Sequence, residues 1–63
     1  MRYAVIEDSQ GDEFIVCRVA LFETIKDALL FQAHSLNAEQ MRVLPLDQEG
    51  QTELVNTPHV VIG

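Results

Sequence analysis

Four carboxylates fall within one short polar stretch of this chain, Glu7, Asp8, Asp12 and Glu13, and three more, Asp47, Glu49 and Glu53, crowd a second. Clustered carboxylates can hold a hard cation or present negative charge to a basic partner. A calcium loop of the EF-hand type needs alternating Asp or Asn, a Gly at its sixth position and a Glu at its twelfth. Neither stretch has that pattern. The other chemically capable groups are two His, one Cys and one Tyr, scattered at spacings that pair no nucleophile with a base. The chain has no glycine-rich phosphate loop, no paired cysteine motif and no HExxH. The sequence therefore predicts no catalysis, no metal and no cofactor.

The single residues have plain structural readings. Cys17 lies within an apolar run and is expected to act as a small buried hydrophobe. His34 is expected near the C-terminal end of a helix, where an imidazolium interacts favourably with the helix dipole, and His59 follows Pro58 at the start of a strand.

The charge is unevenly placed. Residues 1 to 13 carry four acids against Arg2, residues 14 to 46 are balanced, and residues 47 to 63 carry three acids and no base, which together make the net charge −6. Nucleic acid and anionic membranes recruit Lys and Arg clusters, so direct binding to either is disfavoured and a basic protein surface is favoured. At 63 residues the chain is expected to be one domain, 1–63, with a small and marginal core. A hydrophobic fraction of 48% is too high for a disordered acidic tail. With one cysteine, no apolar run long enough for a signal segment and no membrane span, the expected location is the cytoplasm.

These residues must be positioned by few elements. Arg2 to Ile6 is aromatic and β-branched and runs into a polar, Gly-containing turn over residues 7–13, which predicts a strand and a hairpin tip. Phe14 to Phe22 predicts the second strand, with Ile15, Cys17, Val19 and Leu21 on the face that meets the core. Thr24 with Asp27 three residues on is a helix start, and the helix is expected from Ile25 to about Leu36. Its stripe of Ile25, Ala28, Leu29, Ala33 and Leu36 is expected to cover the sheet. Leu30 and Phe31 fall outside that stripe and mark a candidate dimer or partner interface.

Met41 to Leu46 predicts a third strand, placed at an edge by Pro45. Residues 47–53 then read as a second acidic turn and residues 54–62 as an interrupted last strand. The expected fold is α+β, a single small ββαββ domain in which one helix packs on one face of an antiparallel sheet. Such an arrangement sets two acidic poles at opposite ends, Glu7, Asp8, Asp12, Glu13 and Glu39 at one and Asp47, Glu49, Glu53, Glu23 and Asp27 at the other.

The strand opening Met1-Arg2-Tyr3, the acidic turn, the apolar strand and the helix opening Thr24-Ile25-Lys26-Asp27-Ala28-Leu29 together resemble the N-terminal domain of HicB-type antitoxins. That resemblance implies neutralisation of a small basic RNA-cleaving toxin and assigns no site residues. The chain lacks the Pro-Gly-Cys segment of that pattern.

The leading functional expectation is a non-enzymatic binding protein that inhibits or modulates a larger partner by occupying a basic surface. This is the manner of small accessory proteins of phages and mobile elements. In its most specific form the acids of the first turn imitate nucleic-acid phosphates, and the partner handles nucleic acid. The alternative is a self-assembling module, a homodimer or higher oligomer formed through Leu30 and Phe31 or through the Pro-bearing edge.

Overall fold

A computed structural model describes residues 1–8 and 16–62. Strand β1 (Tyr3–Glu7) is followed by β2 (Cys17–Phe22), helix α1 (Ile25–Ala33), a short 3-10 turn (Ala38–Gln40), β3 (Met41–Pro45), helix α2 (Gln48–Asn56) and β4 (His59–Val61). The four strands form one sheet in the order β3-β1-β2-β4. β1 is antiparallel to β2 and to β3, whereas β4 runs parallel to β2. The molecule is thus a small α+β domain with a four-stranded mixed sheet and two helices.

Two expectations are corrected here. The element order is ββαβαβ and the sheet is mixed, where ββαββ and an antiparallel sheet were expected. The difference arises at residues 47–56, which form a helix where the Gly-containing acidic stretch reads as a turn. Asp47 caps that helix, its Oδ1 accepting from the Gly50 N–H at 2.8 Å, and Leu54 carries it onto the core. A helix between β3 and β4 returns the chain to the end where β3 began, so β4 enters the sheet parallel to β2 rather than as a hairpin partner.

The two helices lie on opposite faces. Register pairs Ala4 with Leu21 and Ile6 with Val19, and these side chains form one core with Cys17, Leu44, Leu46 and Leu54 of α2. On the other face Phe22 meets Phe31 of α1, their rings 5.2 Å apart and tilted by 46°. Parallel crossovers are nearly always right-handed. The step from β2 to β3 crosses the sheet one way and the step from β3 to β4 crosses it the other way, so the same hand places α1 and α2 on different faces.

The local signals for α1 hold at its start and differ at its end. Thr24 Oγ1 accepts from the Asp27 N–H at 3.2 Å, as the capping pattern predicts. The helix closes at Ala33 rather than near Leu36. Its buried side is also rotated from the expected stripe. Ala28 is buried and Phe31 and Gln32 are half-buried, while Ile25, Leu29, Leu30 and Leu36 are exposed. Phe31 reaches Phe22, and Gln32 Nε2 donates to the Met41 carbonyl at 2.9 Å. Those two contacts fix the rotation of the helix against its sheet.

Candidate functional site

Glu7 is the clearest departure from a surface reading of the acids. It ends the central strand β1 and is only 4% exposed. Across the β1–β2 register it faces Arg18, whose Nε and Nη2 donate to Oε1 at 3.0 and 2.6 Å. Asn37 Nδ2 donates to Oε2 at 2.7 Å. Both carboxylate oxygens are thereby engaged, and the charge ties the hairpin to the segment between α1 and β3. Glu7 is a structural anchor and is not displayed to a partner, contrary to its expected place among the binding acids. The signal for this was its cross-strand position opposite Arg18, which becomes visible once the hairpin register is known.

The remaining acids divide between the two ends of the sheet. Asp8 is exposed beside Glu7, its N–H donating to the Gln40 carbonyl at 3.2 Å and its Oδ1 accepting from Cys17 Sγ at 3.6 Å. Asp12 and Glu13 lie outside the described residues. At the other end, β2 finishes at Phe22 and β3 at Pro45, both opposite Tyr3, and both helices begin there. Glu23, Asp27, Asp47 and Glu49 therefore gather at that end, all exposed. Asp27, Asp47 and Glu49 sit at or within the first turns of α1 and α2, where negative charge complements the helix dipole. Glu23 lies 3.5 Å from Arg2. Glu53, further along α2, is drawn out of this group by Arg42 of β3 at 2.8 Å.

The candidate apolar surface is wider than Leu30 and Phe31. Phe31 spends much of its surface on Phe22, while Leu30 remains 47% exposed. Ile25 and Leu29 on α1 and Leu36 just beyond it are exposed as well, so the stripe expected to cover the sheet faces outward except at Ala28, which is buried. A second apolar surface was missed at the chain's last strand, where Val60, Val61 and the following Ile62 are each about half exposed. Its signal was a short uninterrupted apolar run after Pro58, which periodicity alone cannot assign to a face.

The groups considered for chemistry are placed apart. Cys17 packs at the margin of the core, His34 caps α1 and is exposed, and His59 Nδ1 donates to the Thr57 carbonyl at 2.7 Å. Among the described residues no group of three His, Cys, Asp or Glu is arranged to hold a metal ion. No helix among them is long and apolar enough to cross a membrane.

Comparison with known proteins gives no family. No protein-family model, curated protein or solved structure matches this chain.

Proposed function

We propose that this chain is a non-enzymatic interaction protein that seats α1 on a larger partner and inhibits or modulates it. The observation that supports this reading is the exposure of Ile25, Leu29 and Leu30, three apolar side chains left about half exposed on the outer side of α1 in a domain where seven of the described residues make up the buried hydrophobic core. Full burial of a Leu or Ile side chain contributes roughly 1.5–3 kcal/mol, so covering three half-exposed ones is worth several kcal/mol. A helix offering anchors one turn apart is the pattern that docks in an apolar groove. Glu23 and Asp27 at the start of α1 border those side chains with negative charge, while Asp47 and Glu49 stand at the same end of the sheet on its other face. The partner's groove is therefore one with a basic rim, as on a protein that handles nucleic acid. Apolar contact supplies affinity, and the acids supply steering and choice of partner.

The test is capture from nuclease-treated lysate of the native cell by the tagged chain, alongside Leu30→Glu and Asp27→Lys variants, at low and high salt. The reading expects one basic protein, retained by the parent chain, lost with Leu30→Glu and weakened both by Asp27→Lys and by salt. A captured protein that binds all three chains equally at either salt would contradict it.

A further inference from the structure

The two edges of the sheet are finished differently, and the difference points to a second copy of this chain as a ligand. In a strand the N–H and C=O of one residue point to the same side and those of the next residue to the other. On β4, the Ile62 N–H donates to the Val19 carbonyl at 2.8 Å and the Pro58 carbonyl accepts from the Cys17 N–H at 3.2 Å. Residues 58, 60 and 62 therefore bond inward to β2. His59 and Val61 turn their backbone groups outward, and no partner meets those groups among the described residues.

Natural sheets guard such an edge with a very short strand, Lys, Pro, a bulge or a covering element. β4 is short, three residues, but carries none of the other devices at its outward positions, His59 and Val61. It is also the electrically neutral part of an acidic molecule. After Glu53 no Asp, Glu, Lys or Arg occurs up to the last residue of the chain, although the net charge is −6. Two copies of an anionic protein repel each other least where each is uncharged. A basic partner would gain nothing from this edge, whereas an identical copy fits it.

We propose that the chain forms a two-fold dimer by antiparallel pairing of β4 with β4 of a second copy, joining two four-stranded sheets into one continuous sheet. The outward positions set the register. Centred on Val60 facing Val60, the pairing matches His59 with Val61 of the second copy and the reverse. Each of those matched pairs exchanges two backbone hydrogen bonds, while the two Val60 side chains meet at the close, non-hydrogen-bonded position. The surface used lies apart from α1, so this dimer stands or falls independently of partner docking there.

Sedimentation equilibrium up to about 1 mM protein reads the association directly. The expected result is a species of twice the 7.1 kDa chain mass, favoured by added salt because screening reduces repulsion between the anionic copies. Val61→Pro removes an outward N–H that β2 does not use and should weaken dimerisation at least tenfold. Leu30→Glu should leave it unchanged. As a measure that does not depend on how Pro is tolerated, Val60→Cys in a Cys17→Ser background should crosslink under mild oxidation at least tenfold faster than Val61→Cys in the same background. A monomer throughout, a dimer lost with Leu30→Glu but kept with Val61→Pro, or equal crosslinking at positions 60 and 61 would each overturn the proposal.

Discussion

Among the described residues the β3 edge is closed at both of its ends and the β4 edge is open. Register and backbone bonds turn Met41, Val43 and Pro45 outward on β3, since Leu46 donates inward to the Arg2 carbonyl and Gln40 accepts inward from Asp8. The Met41 N–H donates to the Ala38 carbonyl and the Met41 carbonyl accepts from Gln32. Pro45 has no N–H, and Gly50 of α2 lies hard against its carbonyl, so close that an added Cβ would fall 1.9 Å from that oxygen. Four separate features, one from each helix, one from the 3-10 turn and one from proline itself, cover Met41 and Pro45 at the two ends of this strand and leave Val43 as its one outward residue without a partner among the described residues. β4 has only three residues and no equivalent cover at His59 and Val61. Unpaired strand edges are a hazard that proteins manage. The β4 edge is the less guarded of the two, and it is the one assigned to the second copy.

Changes at the shared centre of the sheet should have the largest effect, because they weaken both edges together. Glu7→Ala leaves Arg18 and Asn37 without the carboxylate they share, and loss of these charge-assisted hydrogen bonds in a part-buried site is expected to cost about 2–3 kcal/mol. Urea denaturation measures this as a fall in midpoint. Gly50→Ala acts on the closed edge alone. Its methyl group meets the Pro45 carbonyl, and relief requires α2 to shift, so a loss of about 2 kcal/mol is expected from the same measurement.

Gln32→Ala is smaller and more selective. It removes the hydrogen bond to the Met41 carbonyl at a cost of about 1 kcal/mol and opens one acceptor on the β3 edge, with α1 otherwise in place. Asp47→Ala removes the cap of α2 and should also cost about 1 kcal/mol, seen as a loss of helical circular dichroism on mild heating. Leu30→Ser should change folding stability by no more than about 0.5 kcal/mol, since the side chain stands outward on α1.

Much of the closed half was legible in the chain. The β-branched run of β1, the Thr24 cap of α1 and the edge placement of Pro45 each follow from local chemistry that the structure repeats. The open half was not legible, because residues 47–53 combine a glycine, six polar or acidic residues and no apolar periodicity. Gly50 is present because the start of α2 approaches β3 too closely for a side chain, and the same glycine reads as a turn signal when that approach is unseen. Without α2 there was no reason to place β4 parallel to β2 or at an edge. The rotation of α1 was hidden for a similar reason. An apolar stripe predicts the buried side only when apolar contact decides it, and here Phe31 and Gln32 are held by Phe22 and by the Met41 carbonyl.

The direct test of an open edge against a closed one is amide hydrogen exchange followed residue by residue at increasing protein concentration. The amides of His59 and Val61 should exchange quickly in dilute solution and gain at least tenfold protection as the chain is concentrated, while Met41 stays protected by Ala38 throughout and Val43 does not change. Protection of Val61 already present at dilution, or protection that builds at Val43 instead, would contradict the account.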